Sequence, residues 1–192
     1  MSTAVLSRPL ATLALPEEGA SRLFGQVLLV LAGSFVMALA AHAKVPFWPV
    51  PMTLQTLALF AISALYGRKL AVATMLAYLA QGAVGLPVFA SGGGLAYLAG
   101  PTGGYLVSYV PVAALVGYAA DRGYGRNLFA LFGVMLLGEV IVLAMGAAWL
   151  AVVVGPEKAL AGGVGPFVVV DVVKAALAAA GVRAATSLAD RS

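Results

Sequence analysis

From residue 23 to residue 43 the chain carries no acidic, lysine or arginine side chain, and roughly 20 apolar residues are what a helix needs to cross about 30 Å of hydrocarbon. Comparable runs follow at residues 52–66, 70–85, 105–120, 128–154 and 167–185. Six crossings place both termini on one side. The runs are continuous, not alternating, which argues against a membrane β-barrel. Only 9% of the residues are charged and the mean hydropathy is +1.04, against about 25% charged residues in an ordinary soluble domain. A water-soluble fold and a disordered chain are both excluded. The expectation is an all-α polytopic membrane protein: a bundle of six transmembrane helices at residues 23–186, with tails at residues 1–22 and 187–192.

Basic residues orient the bundle. With both termini cytoplasmic, that side receives Arg8, Arg22, Arg68, Lys69, Arg122, Arg126, Arg183 and Arg191, and the outer side only Lys44 and Lys158, the asymmetry expected of inner and outer loops. The net charge of +4 is thereby explained as a topology signal, with no nucleic acid as partner. The expected location is the cell membrane. The first tail reads as a cytoplasmic segment; a cleaved signal peptide would have to use the broken stretch LATLALP as its apolar core.

Several chemistries are absent from the sequence. Zero cysteines remove disulfides, thiolate metal sites and a cysteine nucleophile. The single histidine, His42, has no nearby ligands with which to form a metal site. No serine stands at a local spacing to a histidine or acid that suggests a nucleophile, and the glycine-rich stretch lacks the lysine of a phosphate-binding loop. The expectation is no enzyme, no ATPase, no metal and no cofactor. No internal repeat is visible.

Two connections differ from the rest. HAKVPFWPVPM places prolines at positions 46, 49 and 51, which forbids regular helix. GLPVFASGGGLAYLAGPTGGY carries six glycines between Gly92 and Gly104 and no charge. A flexible linker would be polar and serine-rich, whereas apolar irregular backbone is tolerated at membrane depth where it packs into protein or lines a cavity. The fifth run is long enough to tilt, or to break near Gly146.

Away from the ends of the runs the charged residues reduce to Glu139, Asp171 and Lys174. Each costs roughly 2.5–3.5 kcal/mol at a helix centre, so each should face the bundle interior and have a partner. Asp171 and Lys174, three apart in PFVVVDVVKAA, share a helix face. They either neutralise each other or serve a ligand, and two valines would pack there without the desolvation cost. Glu139 stands alone; satisfying a broken helix, relaying a proton and contacting a ligand all remain open for it. Thr53, Gln55, Ser91, Tyr97, Thr102 and Tyr105 fall toward the outer helix ends, beside Phe47, Trp48, Phe89 and Trp149. Polar groups converging on an apolar cavity mark a small-molecule site, although interfacial Trp and Tyr also serve as membrane anchors. Ser34, Ala38 and Ala41 form a small-residue stripe of the kind that lets a partner helix approach closely.

VPMTLQTLA, GLPVFASGGGLAYLAGPTGGYL and GPFVVVDVVKAALAA, in this order, resemble the BioY family, the integral-membrane substrate-binding (S) components of biotin uptake systems of the energy-coupling-factor type. The likeness covers most of the chain outside the tails. It implies a six-helix S component that binds biotin in an outward-facing pocket roofed by external loops. Its site positions fall on Gln55, on segment 91–97 with Ser91 and Tyr97, on Gly103 and Tyr105 by the glycine turn, and on Asp171 with Lys174. It also implies a transmembrane coupling subunit and ATPase subunits as partners, with the stripe Ser34, Ala38 and Ala41 as the docking surface. Some members work alone or as homo-oligomers.

Biotin's chemistry suits these residues. Asp171 can accept from a ureido N–H and Lys174 can donate to the ureido carbonyl. Lys44, or backbone N–H groups of the glycine loop, can hold the valerate carboxylate. No chain of charges crosses the membrane to couple uptake to protons or sodium. Two other readings remain: a structural or assembly membrane protein whose charged pair only fixes helix register, and an S component for another vitamin. An intramembrane enzyme using Glu139 and Asp171 lacks an accompanying nucleophile or metal set.

Overall fold

The structure is a computed structural model that describes residues 9–13, 15–16 and 18–190. Arg8 and Arg191 of the orientation argument lie outside the described residues. Apolar runs and breakers alternate to give α1 (Leu10–Leu13), α2 (Ala20–His42), α3 (Gln55–Ala83), α4 (Leu95–Leu98), α5 (Gly103–Asp121), α6 (Leu128–Val154), α7 (Pro156–Gly163) and α8 (Gly165–Ala189), with one 3-10 turn at Tyr124–Arg126. The proline-rich connection is closed by two short strands, β1 (Lys44–Val45) and β2 (Met52–Thr53), antiparallel with Lys44 opposite Thr53. The prolines lie between the strands, where no ladder N–H is needed.

The expected runs at 52–66 and 70–85 are joined almost without a loop. Gly67 alone leaves helical geometry, at φ 74° and ψ 172°, a left-handed conformation that favours glycine. A Cβ there would fall 2.3 Å from Asp121 Oδ1. The backbone N–H of Arg68 donates to Asp121 Oδ2 at 3.1 Å, satisfying a donor that the new helix leaves free. The chain reverses at this point, because the Gln55 amide reaches the Tyr78 hydroxyl at 2.8 Å, which a straight helix rising about 1.5 Å per residue would forbid. Counting the halves of α3 separately, six segments cross the bundle.

One end gathers Pro9, Gly67, Asp121, the 3-10 turn and the end of α8. A Cβ on Gly67 would also meet Pro9, Thr186 Oγ1 donates to the Gly125 carbonyl at 3.2 Å, and Arg126 pairs with Asp190 at 2.7 Å. Both described chain ends therefore lie together, with Arg68, Lys69, Arg122 and Arg126. The opposite end holds Lys44, the glycine-rich loop and the start of α8.

Laterally, α3 packs on α2, α5 and α8, while α6 lies against α5 and α8. The inward stripe of α6 reads Leu131, Met135, Gly138, Glu139, Val142, Gly146 and Leu150, the spacing of one helix face. Its outer face carries Phe129, 83% exposed, and Val152, 82% exposed, as a helix solvated by lipid permits. The helix starts where Asn127 Oδ1 accepts the Ala130 N–H at 3.1 Å, an N-cap. It does not break at Gly146: the helix is continuous, and the missing side chain makes room for the Tyr105 ring, 2.2 Å from where a Cβ would lie.

The small-residue stripe of α2 also turns inward. Ser34 and Ala41 are buried and Ala38 is half-buried, and Ser34 Oγ accepts from Gln81 Nε2 of α3 at 3.0 Å. Small side chains here seat α2 on α3, so Ser34 and Ala41 do not form an exposed docking surface.

Candidate functional site

At the outer end the helices enclose a cavity. Val50, Pro51 and Thr53 of the hairpin, Gln55 and Thr56 of α3, and Ala90, Tyr97 and Thr102 of the glycine-rich loop form its upper wall. Tyr105, Leu106 and Tyr109 of α5, Val142 and Leu143 of α6, and Phe167, Asp171 and Lys174 of α8 complete it. The space is narrow, about 40 Å³, room for a few water molecules.

The polar floor is built on α8, whose buried stripe runs Phe167, Asp171, Lys174, Ala175 and Ala178. Lys174 Nζ donates to Asp171 Oδ1 at 2.7 Å and to the Thr53 carbonyl at 2.6 Å. Thr56 Oγ1 donates to the same Asp171 oxygen at 3.2 Å. One ammonium thus joins α8 to β2 and balances a carboxylate at membrane depth. Removing either partner of such a buried pair leaves an uncompensated charge and costs about 3–5 kcal/mol. Both hydrogen bonds fall on Oδ1, leaving Oδ2 without one among the described residues. Of the three N–H groups of an ammonium, two are engaged.

Beside the pair, a chain of hydrogen bonds carries α3 to the glycine-rich loop. Gln55 Nε2 donates to the Tyr78 hydroxyl at 2.8 Å, and that hydroxyl donates to the Val88 carbonyl at 3.0 Å. Next along, Phe89 is fully buried, meets Tyr78 edge-on with centroids 5.4 Å apart and stacks on Tyr97 at 5.2 Å. Gly82 admits this ring, since a Cβ there would lie 1.9 Å from it. Tyr105 is fixed by donating to the Gly163 carbonyl at 2.8 Å.

The structure brings Gln55, Tyr97, Tyr105, Asp171 and Lys174 together on the cavity wall. Lys44 and Ser91 are placed outside the lining: Lys44 Nζ donates to Ser91 Oγ at 2.9 Å and to the Ala90 carbonyl, latching the hairpin to the glycine-rich loop, while Ala90 supplies the wall itself. Gly103 is buried behind the wall, under the Leu98 carbonyl and the Trp149 indole; its neighbour Thr102 lines the cavity. Trp149 donates to the Gly100 carbonyl at 2.8 Å and lies outside the lining. Thr56, Tyr109 and Phe167 were not singled out by the sequence reading. Tyr109 is four residues beyond Tyr105 and Phe167 four before Asp171, a spacing that shares a helix face and could have found both.

Glu139 is buried one turn from Val142, with neither carboxyl oxygen in a hydrogen bond. Asp171 and Lys174 face it from α8.

Comparison with known proteins places this geometry in context. The sequence profile described as the BioY family matches residues 13–191. The probable biotin transporter BioY of Pyrococcus horikoshii is 38% identical over 154 residues, covering 80% of this chain and 91% of that protein. The biotin transporter BioY of Thermotoga maritima is 36% identical over 155 residues, covering 79% and 90%. The crystal structure of the S-component for biotin from an ECF-type ABC transporter is similar with a TM-score of 0.79 and 24% identity, over 88% of this chain and 95% of that one, a likeness of fold.

Proposed function

The chain belongs to the BioY family, and from that membership we propose that it is the membrane-embedded biotin-binding component of a vitamin uptake system, multi-pass in the cell membrane. It binds and delivers; no bond is made or broken. The observation that carries this reading is the buried Asp171–Lys174 pair opening into the outer cavity, with a carboxylate oxygen and an ammonium N–H still unused. A ureido ring offers N–H donors and a carbonyl acceptor in one plane. Asp171 Oδ2 accepts one N–H, and the third Lys174 N–H donates to the carbonyl, both charge-assisted.

Around that floor, Tyr97, Tyr105, Tyr109, Phe167 and Val142 suit the thioether ring and the methylene chain. The valerate carboxylate then extends toward the roof, where Lys44 is the cation offered. A bicyclic ligand exceeds a cavity of about 40 Å³, so the hairpin and glycine-rich loop, latched by Lys44 and Ser91, part to admit it. The energy for inward delivery comes from a transmembrane coupling subunit and ATPase subunits. They would meet α2 through its outward face, as Ser34 is bonded to Gln81 of α3 and Ala41 is buried.

A thermal-shift screen of the purified protein in detergent against water-soluble vitamins tests the reading. Biotin at about a hundredfold over Kd adds about 2.7 kcal/mol to stability, and riboflavin and thiamin add nothing. Asp171→Asn and Lys174→Ala each weaken binding by at least about tenfold, the loss expected for a charge-assisted hydrogen bond. Undiminished binding in both variants removes the site. A larger shift with another vitamin keeps the architecture and changes the substrate, and a flat screen favours a structural role.

A further inference from the structure

Both carboxyl oxygens of Glu139 are sealed from solvent and find no hydrogen-bond partner. It is 4% exposed on the inward stripe of α6, one turn below the cavity wall formed by Val142 and Leu143. The ionisable groups around it are Asp171 and Lys174 from α8 and Tyr109 from α5, with Tyr78 of α3 beyond Tyr109. Nearby on the same stripe, Gly138 packs against Phe60 of α3 and Val112 and Val116 of α5. No second cation is present in this set.

Two carboxylates against one ammonium would leave a net negative charge at membrane depth, so neutrality requires one proton on the cluster. Lys174 already pairs with Asp171 Oδ1, and Thr56 donates to the same atom, so Asp171 is the carboxylate of the ion pair and Glu139 the one without a donor. The proton therefore belongs to Glu139. A neutral carboxylic acid has one O–H to give, and Asp171 Oδ2 on the facing helix has no donor.

We propose that Glu139 is carried as the neutral acid and donates its hydroxyl hydrogen to Asp171, acting as a positioning residue for the carboxylate that receives the substrate. A carboxylate offers about four lone-pair sites. Lys174, Thr56 and Glu139 take three and fix the plane of the group, leaving one aimed at the cavity for a ureido N–H. The last step rests on the biotin reading above; the protonation of Glu139 does not.

Two measurements separate those parts. Infrared difference spectra of ligand-free wild type against Glu139→Gln report the protonation directly: a carboxylic-acid carbonyl band that vanishes in the variant is expected. Its absence overturns the proposal whether or not biotin binds. Biotin titrations report the positioning role. Glu139→Gln keeps an N–H donor and should bind within about threefold of wild type, whereas Glu139→Leu should bind at least about tenfold more weakly, as loss of a hydrogen bond to a charged group predicts. Equal losses in the two variants, or wild-type binding by Glu139→Leu, overturn it. Should Glu139→Leu not fold, Glu139→Gln and the infrared band decide. Failure of wild type to bind biotin removes the transport reading alone and leaves the infrared result standing.

Discussion

Lys44 has two donors committed, to Ser91 Oγ and the Ala90 carbonyl, and a third N–H free for an anion. If it holds the valerate carboxylate, Lys44→Gln should weaken biotin about three- to tenfold, the range of a partly exposed charge contact, and leave the binding of biotin methyl ester unchanged. Titration calorimetry with both ligands distinguishes this from a latch role, in which both would suffer equally. Thr56→Val removes one of the two donors on Asp171 Oδ1 and should cost about tenfold in biotin affinity, the value of a hydrogen bond to a charged acceptor. Asp171 and Lys174 were legible in the sequence because charge in hydrocarbon demands a reason. Thr56 was not, because a threonine in a helix can satisfy its hydroxyl on its own backbone, so its type announces nothing. Ser91 and Gly103 were legible as members of an unusual loop, but a run of glycines does not say which residues face inward.

At the scale of elements, glycines on one helix have opposite consequences. Gly146→Ala would drive a methyl to within 2.2 Å of the Tyr105 ring, and overpacking of this kind costs about 1–3 kcal/mol. Because Tyr105 is a cavity wall, thermal stability and biotin affinity should fall together. Gly133 lies on the exposed side of the same helix with nothing within 4 Å of a Cβ, so Gly133→Ala should raise stability by up to about 1 kcal/mol through helix propensity and leave binding unchanged. Thermal melts and titrations of the pair check both. Helix existence was readable from continuous apolar runs, and the bounds of α6 coincide with the expected residues 128–154. The turn at Gly67 was readable only as a polar interruption. What sets it is Asp121, 54 positions away and brought there by packing, which local pattern cannot foresee. The same holds for β1 and β2, two residues each, and for α7, whose apolar content is too short to register as a crossing.

At the scale of the whole molecule, the two ends carry different chemistry. Arg126 donates to both oxygens of Asp190, and these bonds hold the Asp190 carboxyl below the usual carboxylate range. A depressed value in the folded state means that the tie between α8 and the 3-10 turn is intact at neutral pH and is lost only as pH falls through that lowered value. The end it secures is the basic one, which the positive-inside rule assigns to the cytoplasm, leaving the cavity, Lys44 and Ser91 outside. Because the chain has no cysteine, single replacements report sidedness without background. Ser91→Cys, at an exposed loop position, should react with a membrane-impermeant maleimide in intact cells, and saturating biotin should slow the reaction if the latched roof closes over ligand. Tyr124→Cys, at a 45% exposed position in the 3-10 turn, should react only after the membrane is permeabilised. The reverse pattern would turn the cavity toward the cytoplasm, where a binding pocket could not capture a vitamin from outside, and the uptake reading would fall while the fold remained.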